Sequence, residues 1–177
     1  NGFNVQIIEN FVEFDKKISR CNEHKKNKIL FFSNLYRFKG IVDFIECINK
    51  FKTKYNFSVV IIGRDADYNK SQIMEMLNDM KLQKRLEIYN NISGKEKYDI
   101  IKKCDLLIYP SYNDYSPLTV IECLKIGLDI ISYEIGELDH MIGCQGKVVR
   151  SKIDLFEYFE KWLKGSIRFH LKKDDNY

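Results

Sequence analysis

No apolar run in this chain approaches the ~18 residues needed to cross a bilayer, and no stretch has the form of a signal peptide. No C-x-x-C pair occurs among the five cysteines (Cys21, Cys47, Cys104, Cys123, Cys144), and no His/Cys/Asp cluster has metal-ligand spacing. Reduced, buried thiols are therefore expected, and no metal. The dinucleotide fingerprint G-x-G-x-x-G is missing, as is the phosphate-loop signature G-K-[ST], which argues against a nicotinamide dehydrogenase and a P-loop NTPase. There is no G-x-S-x-G nucleophile elbow. Basic residues form no arginine-rich block, and the net charge is only +4, too weak an electrostatic footprint for nucleic-acid binding. Pro/Gly-rich linkers, internal repeats and low-complexity tracts are also lacking. The chain opens on NGFNVQIIEN without an initiator Met, so a fragment or excised domain is expected.

What is present is a folded composition, 45% hydrophobic and 14% aromatic over 177 residues, enough for one domain with a substantial core. Strand-like and helix-like segments alternate. ILFFSNL (29–35), FSVVIIG (57–63), LEIYN (86–90), DLLIYPS (105–111) and DIISYE (129–134) read as strands, with KVV (147–149) as a sixth. Between them, apolar residues recur at helical spacing: Ile41, Phe44, Ile45, Ile48 and Phe51; then Ile73, Met76, Leu77 and Met80; then Tyr98, Ile101 and Cys104. Ile153, Phe156, Phe159, Trp162 and Leu163 mark a last helix. The pattern predicts an α/β fold, a Rossmann-like doubly wound parallel sheet of about six strands with helices on both faces. It assigns 29–165 to that domain, 1–28 (with a short strand at VQIIEN) to a connector from a preceding domain, and 166–177 to a tail.

The most informative stretch is YPSYNDYSPLTVIECLKIG, Tyr109 to Gly127. It predicts a strand end, a polar loop, and a helix with Ser116 as N-cap and Pro117 at the first helical position. Peptide N–H groups at such a helix start favour phosphate. Asp114 and Glu122, eight positions apart, bracket the turn. A sugar nucleotide would explain carboxylates beside a phosphate site, because its hydroxyls need acceptors while its diphosphate needs amides and cations. The pair equally fits a dipole-stabilised acid and a solvated helix glutamate. The loop after the first strand, Asn34 to Gly40 (NLYRFKG), offers Arg37 and Lys39 as diphosphate-neutralising cations, or is simply an exposed basic loop. The turns at Gly63–Asp67 and Asn90–Gly94 also lie at strand C-termini. GELDH (Gly136–His140) reads as an acidic loop.

In these motifs the chain resembles the C-terminal, donor-binding domain of a GT-B fold glycosyltransferase, and more narrowly the retaining glycosyltransferase family 4 (glycosyl transferases group 1). The resemblance runs from about Lys28 to Val149, through KILFFSNLYRFKG, FSVVIIGRD, RLEIYNNISGKEKYDIIKKCDLLIYPS and DYSPLTVIECLKIGLDIIS; ENFVEFD resembles the family's inter-domain connector. It implies a nucleoside diphosphate sugar as donor substrate and no metal. Glu122 would hold the ribose hydroxyls, and Asp114 would contact the donor hexose near its reacting end. Lys39 would bind the diphosphate and stabilise its departure. Backbone amides of Leu118 and Thr119, beside Ser116, would bind the distal phosphate, Ile92 would contact the base, and Gly63 and Asn34 would line the site. Asn34 stands where the family commonly has arginine, with Arg37 as a substitute cation. Glu137 and His140 replace a glycine and a glutamate of the family's loop.

The resemblance further implies an acceptor-binding N-terminal domain outside this sequence, transfer of a hexose to a glycan or lipid-linked acceptor in bacterial surface polysaccharide synthesis, and a cytoplasmic location at the inner face of the membrane. A non-catalytic nucleotide-sugar-binding module with the same fold is the alternative. A third reading, a scaffold half docked peripherally on a partner or membrane surface, rests on Lys25, Lys26, Lys28, Lys172 and Lys173.

Overall fold

The computed structural model describes residues 27–77, 80–114, 117–167 and 169. Six strands form one sheet: β1 (Lys28–Phe32), β2 (Ser58–Ile62), β3 (Leu86–Tyr89), β4 (Leu106–Tyr109), β5 (Asp129–Tyr133) and β6 (Gly146–Val149). Every pairing is parallel, and the order is β3-β2-β1-β4-β5-β6. This is the doubly wound sheet the sequence predicts, and all six strands fall on the segments read as such. The expectations for residues 1–26, the VQIIEN strand and the ENFVEFD connector included, lie outside the described residues, as do residues 168 and 170–177 of the tail.

The central strands are apolar on consecutive residues because helices cover both faces. Toward one face point Ile29, Phe31, Val59, Ile61, Ile108, Ile131 and Tyr133, packed on α1 (Ile41–Phe51) and α7 (Lys152–Leu163). Toward the other point Leu30, Val60, Leu107, Tyr109 and Ile130, packed on α4 (Gly94–Ile101), α5 (Leu118–Ile126) and α6 (Leu138–Ile142). The buried carboxylates of Asp105 and Asp129 find donors inside the fold. Trp162 Nε1 donates to Asp129 Oδ2 at 2.6 Å, and the Lys28 amide donates to Asp105 Oδ2 at 2.8 Å.

Two elements differ from expectation. The apolar stripe from Ile73 to Met80 is not one helix but α2 (Lys70–Met76) and α3 (Met80–Gln83). Ile73, Leu77 and Leu82 are all buried, so the two elements share one apolar side. The GELDH segment is not wholly a loop, since α6 begins at Leu138, which is fully buried and anchors the turn to the sheet.

Candidate functional site

In an open parallel sheet, ligands settle where neighbouring strands send their following connections to opposite faces. Here that point lies between β1 and β4, for β1 leads to α1 on one face and β4 leads to α5 on the other. The sequence places its two richest loops, 33–40 and 110–117, at these two strand ends.

The loops are stitched to each other. Gly40 has φ +78°, a left-handed conformation open to glycine, and an added Cβ would come 1.9 Å from the Pro110 carbonyl oxygen. The Tyr112 amide donates to the Phe38 carbonyl at 2.9 Å. Gly63 does the same for the neighbouring strand end, since a Cβ there would meet the Ser33 carbonyl oxygen at 1.9 Å. Its place is thus a close-packing one. Asn34 Oδ1 accepts from the Arg64 amide at 3.2 Å, and Leu35 is buried beneath. The Arg37 amide donates to Asp67 Oδ2 at 2.8 Å, while the Arg37 side chain is exposed.

This scaffold brings Lys39 and Asp114 together. Lys39 Nζ lies 2.5 Å from Asp114 Oδ2 and 3.2 Å from the Asn113 carbonyl. Tyr109 Oη donates to the same Asp114 oxygen at 2.6 Å. Burial, then the Asp114 carboxylate, push the Tyr109 phenol far above its ordinary range, so it remains a donor. Asp114 is therefore clamped between a cation and a phenol, 5 residues beyond the strand that supplies the phenol.

Helix α5 starts at Leu118, half exposed, with Thr119 half-buried beside it. Pro117 is the N-cap, not the first helical residue, and makes no side-chain cap bond. Its ψ of 111° leaves it extended, and its carbonyl accepts the first helical bonds from Val120 and Ile121. Ser116, read as the cap, lies outside the described residues. The first-turn N–H groups have no intrahelical acceptor by construction.

Glu122 sits in the second turn, 9% exposed, and its Oε1 accepts from Lys97 Nζ at 2.8 Å and Tyr98 Oη at 3.2 Å. It is not the solvated helix glutamate of the alternative reading. Lys97 Nζ also stands 5.5 Å over the Phe32 ring, which places the pair beside the end of β1. Desolvation acts to lower the Lys97 pKa, but the hydrogen bond and charge of Glu122 outweigh it and the pKa is raised. Ile92 is half-buried, packed on the same side of the sheet as α5. Glu137, the N-cap of α6, and His140 within it are both exposed.

Lys97, Tyr98 and Tyr109 were missed by sequence reasoning. Tyr98 and Tyr109 read only as apolar-stripe and strand residues, and nothing local marks Lys97 among its neighbours. Among the described residues no group of three His, Cys, Asp or Glu side chains gathers at metal-binding distances, and no helix is long and apolar enough to cross a membrane.

Sheet order, helix placement and the crevice at β1 and β4 define one Rossmann-like half of a GT-B fold. The profile of the family "Glycosyl transferases group 1" matches residues 13–173, and the chain belongs to that family. The C-terminal domain of a glycosyl transferase group 1 family protein from Francisella tularensis superimposes with a TM-score of 0.72 at 18% identity, over 87% of this chain and 89% of that one. An Anabaena protein crystallised with UDP-glucose superimposes with a TM-score of 0.64 at 14% identity, over 80% of this chain and 40% of that one. Among curated relatives, an uncharacterized glycosyltransferase of Methanocaldococcus jannaschii is 26% identical over 168 residues, 89% of this chain and 40% of the relative. The N,N'-diacetylbacillosaminyl-diphospho-undecaprenol alpha-1,3-N-acetylgalactosaminyltransferase of Campylobacter jejuni is 27% identical over 124 residues, 68% of this chain and 31% of the relative. The chain thus spans 40% or less of these curated relatives.

Proposed function

We propose that this chain is the donor-binding half of a retaining, metal-independent glycosyltransferase that moves a hexose from a nucleoside diphosphate sugar to a glycan or lipid-linked acceptor. The observation that carries the reading is the contact of Lys39 with Asp114 between the ends of β1 and β4, the strand that α5 follows. The complexed UDP-glucose of a structural neighbour and the lipid-linked acceptor in a relative's name support the substrate classes.

In this reading the diphosphate lies against the first turn of α5, where the Leu118 and Thr119 amides and the helix dipole meet it. Lys39 turns from Asp114 to the leaving phosphate and stabilises the charge that develops as the glycosidic bond breaks. Asp114, released from that pair but still held by Tyr109, accepts from the donor hexose. Glu122 keeps Lys97 on Oε1 and would accept ribose hydroxyls on Oε2. Arg37, exposed on the same loop, adds a second cation. The acceptor groups would come from a further domain, so the chain by itself would bind donor weakly and transfer little or nothing.

Calorimetric titration of the chain with UDP, GDP and ADP tests this. One of the three should bind, and Lys39→Ala should weaken it at least about tenfold. Equal binding by Lys39→Ala, or none by the parent chain, would overturn the reading.

A further inference from the structure

At the C-terminal ends of β4, β5 and β6 lies a cavity of about 190 Å3. Its lining includes Ser111, Tyr112, Tyr133, Glu134, Arg150 and Lys152. Ser111 and Tyr112 stand in the loop that also borders the crevice, where the Tyr112 amide holds the Phe38 carbonyl, but the cavity lies on the α1 and α7 face of the sheet.

The walls are held rigidly. Tyr112 and Tyr133 both donate their phenols to one oxygen, Oδ2 of the buried Asp43 on α1, the Tyr133 bond being 2.5 Å. Their rings stand 5.3 Å apart at 59°. Burial, then the Asp43 carboxylate, push both phenols up, so they stay as neutral donors. Tyr112 is nonetheless 59% exposed. A ring anchored by its hydroxyl while its flat side meets solvent offers a preorganised apolar surface, and large side chains held this way lose little entropy on binding.

The charges around it are already matched. Arg150 makes a two-pronged pair with Glu134, at 2.8 and 3.0 Å. Lys152 Nζ lies 2.7 Å from Glu46 and 3.4 Å from Asp43. A free anion would have to displace a carboxylate from either cation. A neutral polyhydroxylated ring would not, because its hydroxyls both donate to Glu134 and accept from Arg150 and Lys152, while its C–H face lies on Tyr112. The cavity is smaller than the roughly 300 Å3 at which drug-sized sites begin, which suits one ring.

We infer that this cavity is a saccharide subsite holding one neutral sugar residue, separate from the nucleotide crevice. It stands whether or not the crevice binds donor, because none of the side chains proposed to touch the nucleotide lines it.

The test is an NMR titration of the chain with N-acetylglucosamine, N-acetylgalactosamine, methyl glucoside and, as the anionic probe, inorganic phosphate. At least one sugar should shift the Tyr112 and Tyr133 ring signals with a dissociation constant on the order of 1–10 mM. Tyr112→Ala and, independently, the exposed-rim variant Arg150→Ala should each weaken it about fivefold or more, with UDP affinity unchanged in Arg150→Ala. Shifts with phosphate alone would overturn the ligand class. Absence of any sugar response, or sugar binding indifferent to both variants, would overturn the site. A separate UDP titration of the same sample reads the nucleotide crevice, so failure of either proposal is seen apart from the other.

Discussion

Lys39 and Asp114 are 75 residues apart in the chain yet meet at 2.5 Å, joining the loops that leave β1 and β4 on opposite faces of the sheet. The pair is partly buried, and Tyr109 already holds the same Asp114 oxygen. Removing the lysine therefore leaves the carboxylate with a donor. Lys39→Met should cost at most about 1 kcal/mol of stability while abolishing most nucleotide affinity. Urea denaturation beside calorimetry separates the two. A large loss of stability would mean the lysine is a strut of the fold.

Glu122 and Lys97 are better buried, with 11% and 17% of their side chains exposed. Glu122→Ala leaves the Lys97 ammonium beside Phe32 without its carboxylate, and should destabilise the chain by about 2–4 kcal/mol. Lys97→Met combined with Glu122→Gln should recover a good part of that loss, since both charges then go. A double-mutant cycle measures the coupling. Additive losses would show that the two side chains do not act together.

Gly40→Ala places a Cβ at 1.9 Å from the Pro110 carbonyl and forces alanine into φ +78°. A cost on the order of 3 kcal/mol follows, from the left-handed backbone and the clash together. Thermal melting reads the loss, and the two loops should separate with it. An alanine variant melting with the parent would show that the loops yield without cost.

Glu160 on α7 accepts from Lys54 Nζ at 2.5 Å and Tyr55 Oη at 2.9 Å at the far end of α1. The Lys54 hydrogen bond, first among its causes, lowers its pKa from 4.5 to about 2. A carboxylate with a depressed folded-state pKa contributes stability above its unfolded value and loses it as pH falls through the folded one. The parent should thus exceed Glu160→Gln in urea midpoint at neutral pH, and the gap should close between pH 4.5 and about 2. A gap constant over that interval would contradict the assignment.

How far the sequence carries such an account depends on the kind of signal. The central strands β1, β2, β4 and β5 were legible because strands covered on both faces must be apolar on consecutive residues. Lys39 and Asp114 were legible as candidates because each stands in a loop whose position follows from strand order. Their contact was not, since nothing in either loop specifies a partner 75 residues away. The grip of Lys97 and Tyr98 on Glu122 was hidden for the same reason: at Tyr98, one ring serves both an apolar stripe and a buried hydrogen bond. The N-cap was misread by one position, because Pro117 fits the cap and the first helical residue about equally well and its ψ angle decides. Likewise the break between α2 and α3 leaves the apolar spacing intact.

Where a nucleotide binds on this chain is decided by an amide-resolved NMR titration with UDP, GDP and ADP. The nucleotide that binds should shift resonances of Lys39, Asp114, Leu118, Thr119 and Glu122 together, along one binding curve. Shifts confined to any other surface, or no shifts with all three, would contradict it.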